Sequence, residues 1–190
     1  MELPSANNNM QTTLNNAKEK MTKAIESLNG HLGQIRTGRA NPKLLDEVEV
    51  EYYGCPTPVN QMASISVVEG TQLVIKPYDK SILKGIEKAI NAANIGITPQ
   101  NDGEVIRLNV PKLTGDVRKD LAKQASKVGE ESKVAIRNIR RDANDAIKKN
   151  KELTEDDVKK GNEKVQKLTD EFIKKVDDAV KAKQDEIMTI

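Results

Sequence analysis

The chain has 190 residues, and its 31 Lys and Arg nearly balance its 29 Asp and Glu, so any functional charge must be local. Three Tyr, one Phe and no Trp argue against a stacking platform for single-stranded nucleic acid and leave an aliphatic core suited to helix packing. A single cysteine, Cys55, excludes an internal disulfide and fits a reducing compartment, and no apolar run approaches the roughly 18 residues of a membrane span.

Residues 1–9 have neither a basic nor an apolar leader region and read as a disordered lead-in. A helix is expected from Thr12 or Thr13, because Leu14, Ala17, Met21, Ile25, Leu28, Leu32 and Ile35 recur at steps of three and four. Gly30 and Gly33 weaken it by about 1 kcal/mol each; they either permit a close helix crossing or are tolerated near a helix end. His31, the only histidine, flanks this seam with no metal-ligand set nearby and reads as an ordinary helical residue. Gly38 and the Asn41-Pro42 step end the helix.

The period then changes. Val48, Val50 and Tyr52 alternate with Glu47, Glu49 and Glu51, the pattern of a half-buried strand. Gly54, Pro56 and Pro58 mark a turn or a broken edge, with Cys55 expected as a bland, partly buried thiol. Residues 62–68 and 72–76 read as strands joined by a Glu69-Gly70 turn. Asp79 or Ser81 caps a short helix with Ile82, Ile86, Ala89, Ile90 and Ala93 on its apolar side, closed by Asn94 and Gly96. Asn101-Asp102-Gly103 is a turn, and residues 104–110 form a last strand.

The stretch 114–150 reads as one long helix with Thr114 as N-cap and two distinct faces. Val117, Leu121, Ala125, Val128, Ala135, Ile139, Ala143 and Ala146, with Ser132 filling the gap, form an apolar seam. Arg137, Arg140, Arg141, Asn144 and Lys148 project from the side roughly opposite, while Arg118 lies between the faces. Asp120, Glu131, Asp142 and Asp145 fall on another flank, so the arginines face outward as a strip fitted to an anion. A final helix starts at Thr154 with Glu155, Asp156 and Asp157 in its first turn, and Val158, Gly161, Val165, Leu168, Phe172, Val176, Ala179 and Ile187 carry its seam.

Three seams need one another. The predicted fold class is α+β: a long three-helix bundle from residues 10–37 and 113–190, with a small sandwich-like α/β domain inserted at 38–112. The last two helices share a short loop and should lie antiparallel. Thr37, Gly38, Pro111 and Thr114 sit in the two connections, where a hinge is expected.

No catalytic constellation is present. There is no phosphate-binding Gly-rich loop, and one His with one Cys cannot make a zinc site. The Asp156/Asp157 and Asp177/Asp178 pairs read as a dipole-favoured first turn and a solvated helix face. No cofactor and no metal are expected. A rigid, aromatic-poor basic rod suits the phosphate backbone and shape of folded RNA better than a DNA groove. The rival readings are a helix-bundle adaptor binding a protein partner through exposed apolar anchors, and an enzyme with a deep pocket of titratable groups, for which the sequence offers no lining.

The runs Arg36-Thr37-Gly38-Arg39-Ala40-Asn41-Pro42, Val50-Glu51-Tyr52-Tyr53-Gly54 and Val134-Ala135-Ile136-Arg137-Asn138-Ile139-Arg140-Arg141-Asp142-Ala143-Asn144 resemble the ribosome recycling factor family, as do Leu44-Leu45-Asp46, Thr57-Pro58, Glu87-Lys88-Ala89-Ile90 and Gln166-Lys167-Leu168-Thr169-Asp170. The resemblance extends from about Gln11 to the end. It implies an L-shaped, tRNA-sized, non-enzymatic and monomeric cytoplasmic factor. Such a factor binds the large ribosomal subunit after termination and, with elongation factor G and GTP hydrolysis, splits the subunits. It also implies that Arg36, Arg39, Arg118, Arg137, Arg140 and Arg141 contact ribosomal RNA. At Thr114-Gly115-Asp116-Val117-Arg118-Lys119 the chain departs from the consecutive basic residues, preceded by acids, that many members carry.

Overall fold

A computed structural model describes residues 6–189. The chain runs through α1 (Ala6–Gln34), a 3-10 turn (Pro42–Leu45), β1 (Glu49–Tyr52), β2 (Cys55–Pro58), α2 (Val59–Met62), β3 (Ala63–Val68) and β4 (Gln72–Pro77). A second 3-10 turn (Lys80–Ile82) leads into α3 (Leu83–Ala93), followed by β5 (Gln100–Asn101), β6 (Ile106–Asn109), α4 (Gly115–Lys149) and α5 (Glu155–Met188). Packing divides these elements into two units, Met1–Leu32 with Lys123–Gln184 and Gly33–Ala122 with Asp185–Ile190. The division therefore falls within α1 and α4, whereas the Gly and Pro signals pointed to residues 37–38 and 112–113.

In the first unit, cross-helix contacts fix the direction of each helix. Gln184 Nε2 donates to Ser126 Oγ at 2.8 Å, Lys133 Nζ pairs with Asp177 at 2.6 Å, and Arg140 Nη1 donates to Gln166 Oε1 at 3.4 Å. Residue numbers fall on α5 as they rise on α4, so the two helices are antiparallel, as the short loop predicts. Thr154 starts α5 by reciprocal capping: its Oγ1 accepts from Asp157 N at 3.1 Å, and its own N donates to Asp157 Oδ2 at 3.2 Å. Ala17 of α1, Ala143 and Ile147 of α4 and Val165 of α5 form one buried cluster, with Leu14, Ile139, Val158 and Leu168 packed on it.

Two expectations need correction here. Helix α1 starts at Ala6, not at Thr12 or Thr13. Of the expected lead-in, residues 1–5 lie outside the described residues, and 6–9 are helical. Asn is a weak helix former, by about 0.6 kcal/mol relative to Ala. Buried Met10, whose Cε would stand 3.4 Å from a Cβ on Gly161, supplies tertiary packing that outweighs this. The α4 seam is also rotated. Ile136, Ile147 and Gly129 are buried, whereas Ala135 and Ala146 remain exposed at the α1 side. A helix packed against two neighbours buries a stripe wider than one line of three-and-four spacing.

Helix crossing is governed by glycines other than Gly30 and Gly33. A Cβ on Gly30 would meet nothing within 4 Å, and one on Gly33 would meet the flexible Lys43 side chain. A Cβ on Gly129 would lie 2.5 Å from Val180 Cγ2, and one on Gly161 would lie 3.2 Å from Ile147 Cδ1. These two positions let the α4 and α5 backbones approach closely.

The second unit has its own core of Leu45, Val50, Val59, Leu73, Ile75, Ile86, Ile90, Ile106 and Leu108, with further buried aliphatics around them. A four-stranded antiparallel sheet has the order β3-β4-β6-β5, β1 and β2 form a separate hairpin, and α3 lies against β1 and β5. Tyr53 (φ 49°) and Gly54 (φ 79°) make the two-residue turn between β1 and β2, with Tyr52 paired opposite Cys55. Strand β2 was read as a turn or broken edge because of Pro56 and Pro58. In a two-stranded hairpin every strand is an edge, so the missing N–H groups are tolerated. Cys55 is exposed, not partly buried. Asp79 caps the 3-10 turn that leads into α3, its Oδ1 accepting from Ser81 N at 2.9 Å, and Asn94 closes α3 in the left-handed region as expected.

Two measurements test this packing. Gly129→Ala should lower stability by about 1–3 kcal/mol through overpacking, while Gly30→Ala should raise it by about 0.5–1 kcal/mol, both read from urea unfolding midpoints. The Lys133 ammonium, only 17% exposed, is held above the ordinary lysine range, chiefly by its hydrogen bond to Asp177, against the opposing effect of burial. A raised lysine stabilises fully below its unfolded value, and that contribution disappears as pH rises through the folded value. Asp177→Asn should therefore lower stability at neutral pH and flatten the alkaline decline of the unfolding midpoint.

Candidate nucleic-acid interface

Helix α4 carries the basic strip because its residues repeat on one flank. With Ile136 as zero and a hundred degrees per residue, Arg140, Asn144, Arg137, Lys148 and Arg141 lie at about 40, 80, 100, 120 and 140 degrees. Buried Gly129, Ser132, Ala143 and Ile147 lie within about 40 degrees of Ile136. The strip is thus centred about 100 degrees from the buried stripe, not opposite it. It borders α5 on one side, where Arg140 and Asn144 are half-buried, and faces solvent on the other, where Arg137, Arg141 and Lys148 are exposed. Helix α1 packs on the far flank, against Ile139, Ala143 and Ala146.

The charges on this strip stay open. Ion pairs among the described residues join Lys23 to Glu19, Arg107 to Asp102, Lys133 to Glu130 and Asp177, and Lys160 to Asp156. None of these involves Arg36, Arg39, Arg118, Arg137, Arg140 or Arg141. Arg140 is instead tethered to a neutral amide, Gln166, whose Nε2 donates in turn to Asp170 Oδ1 at 2.9 Å. A neutral acceptor orients the guanidinium without cancelling its charge, which leaves the remaining N–H groups free to grip an anion. Gln166 escaped the sequence reading because it sits on another helix. The signal that finds it is the antiparallel register of α4 and α5.

The six predicted arginines do not fall in one unit. Arg137, Arg140 and Arg141 belong to the first, and Arg36, Arg39 and Arg118 to the second. Arg39 is exposed, Arg36 is half-buried, and the Arg118 Nε is buried without a partner near the start of α4. Among the residues expected to form a hinge, buried Thr37 accepts from Arg39 N through Oγ1 at 3.2 Å, Gly38 is buried, and Pro111 is exposed. Thr114 caps α4, with Val117 N donating to its Oγ1 at 3.3 Å.

Small clefts lie between α1 and α4. One of about 140 Å³ is lined by Ala17, Lys20, Ile139 and Asp142 among others, and one of about 160 Å³ by His31, Glu131 and Ser132 among others. Both fall well below the ~300 Å³ of an ordinary small-molecule site. Among the described residues no group of three His, Cys, Asp or Glu is placed to hold a metal, and no helix is long and apolar enough to cross a membrane.

Comparison with known proteins places the chain in a family. Residues 28–188 match the family model described as ribosome recycling factor. The chain is 53% identical over 184 residues to the ribosome-recycling factor of Staphylococcus saprophyticus, covering 95% of this chain and all of that one. It is 55% identical over 180 residues to that of Listeria welshimeri, covering 93% of this chain and 97% of the relative. Among solved structures it is similar to a ribosome recycling factor in solution, with a TM-score of 0.79 and 36% identity over 95% of this chain and 98% of that one. A second is a T. thermophilus ribosome recycling factor placed with E. coli elongation factor G on the E. coli post-termination complex, with a TM-score of 0.67 and 41% identity over 94% of this chain and 98% of that one. A match to named relatives over more than nine-tenths of the chain, together with two structures of the same fold, makes this chain a member of the ribosome recycling factor family.

Proposed function

We propose that the chain docks on the RNA of the large ribosomal subunit after termination, using the α4 strip of Arg137, Arg140 and Arg141, with Arg36, Arg39 and Arg118 adding contacts from the second unit. With elongation factor G and GTP hydrolysis it then promotes subunit splitting and frees the ribosome from mRNA. The observation that carries this reading is that Arg137 and Arg141 are exposed and half-buried Arg140 meets only a neutral amide, with none of the three in an ion pair among the described residues. Guanidinium groups so placed suit phosphate oxygens bidentately. The factor works as a cytoplasmic monomer without cofactor and catalyses nothing itself; the GTPase supplies the energy, and the α/β unit transmits it about the connections at Thr37, Gly38, Pro111 and Thr114.

A helix-bundle adaptor would need contiguous apolar anchors. On α4 the exposed large hydrophobic is Val134, standing amid charged and polar neighbours.

Co-sedimentation with purified large subunits across a salt series tests the docking. Some four to six phosphate contacts should give a log–log slope on the order of −3 to −5. Arg140→Ala should cost about tenfold in affinity while leaving helicity intact and stability within about 0.5 kcal/mol. Salt-independent binding and an unaffected Arg140→Ala variant would sink the RNA reading. A cross-link tying the two units together should spare binding and abolish splitting; full splitting by the cross-linked protein would refute the hinge.

A further inference from the structure

The α4–α5 register places a second pair of polar side chains beside the arginine strip. Arg140 meets Gln166, and one contact further along Ile147 packs against Gly161. Stepping one turn up α4 and one turn down α5 from the Arg140–Gln166 pair reaches Asn144 and Asn162, which therefore stand level between those two contacts. Both are half-buried, and both have a buried Oδ1 with no hydrogen-bond partner. Their Nδ2 groups are not among the buried unpartnered atoms. Each amide thus buries its oxygen and leaves its NH2 as the end in reach of solvent.

A desolvated acceptor without a partner is costly in a folded protein. In this orientation the two amides offer donors beside the arginines. We infer that Asn144 and Asn162 form a neutral donor pair that binds ribose or phosphate oxygens of the RNA, so that α5 shares the docking face with α4. The inference rests on the RNA-docking reading and refines it. The arginines supply attraction that depends on salt. The amides supply hydrogen bonds that displace no counterions and need one particular placement of the RNA backbone, so they set register more than strength. Their position across two helices makes this register sensitive to the α4–α5 packing, which the arginines of α4 alone are not.

The experiment is co-sedimentation of the full-length protein with purified bacterial large subunits across a salt series, for wild type, Arg140→Ala, Asn144→Ala and Asn162→Ala, with unfolding midpoints measured in parallel. Each Asn variant is expected to bind about three- to tenfold more weakly, with the wild-type log–log slope and an unchanged or higher unfolding midpoint. A lost structural contact would instead lower the midpoint. Wild-type affinity in both Asn variants, or a loss that tracks a fall in midpoint, overturns the donor pair. If those results come with a steep wild-type slope and a weakened Arg140→Ala, only the donor pair fails. A flat wild-type slope with normal binding by Arg140→Ala removes the docking reading and the donor pair together.

Discussion

The close approach of α4 to α5 is the constraint on which the candidate interface depends. At Gly129 a methyl group would stand 2.5 Å from Val180, so the two backbones are nearer there than side chains would ordinarily permit. An antiparallel helix pair can slide along its axis and rotate about it. A glycine seated against one valine, with Gly161 seated against Ile147 farther along, removes both freedoms. The polar contacts then follow from geometry: Ser126 with Gln184, Lys133 with Asp177, Arg140 with Gln166.

This register also explains why two neighbouring cations of α4 behave differently. Lys133 meets two carboxylates and is largely removed from solvent, so its charge is spent inside the protein. Arg140, two turns on, meets an amide that leaves its charge uncancelled. The difference arises on α5, from Asp177 in one place and Gln166 in the other. A basic helix read by itself cannot show which of its charges are structural, because the deciding residues are on the helix packed against it.

Much of the fold was legible because it rests on local signals. Thr114, Thr154, Asp79 and Asn94 cap where their side chains allow, and the strand at Val48, Val50 and Tyr52 alternates because one face is buried. What escaped depends on partners distant in sequence. Strand β2 exists because β1 accepts it despite two prolines, and β5 is two residues that pair only because β6 is present. Helix α1 reaches back to Ala6 because Met10 finds the bundle, and Ile136 and Ile147 belong to the buried stripe because α4 has two neighbours. The arginine strip was legible as a strip. Its placement at the α5 border was not, since a helical wheel gives relative angles and leaves the zero to packing.

That placement changes what the strip can do. Arginines opposite a buried stripe would ride on a convex ridge, each free to follow the solvent. Arg140, at the helix–helix border, has one wall beside it, and the wall restricts its rotamers. A long side chain pays up to about 2 kcal/mol of rotamer entropy when immobilised, and a tether to Gln166 meets part of that in the free protein. The border also brings α5 side chains within reach of whatever the arginines hold. Recognition by a single helix can measure charge and pitch. Recognition at the seam of two packed helices can measure position as well.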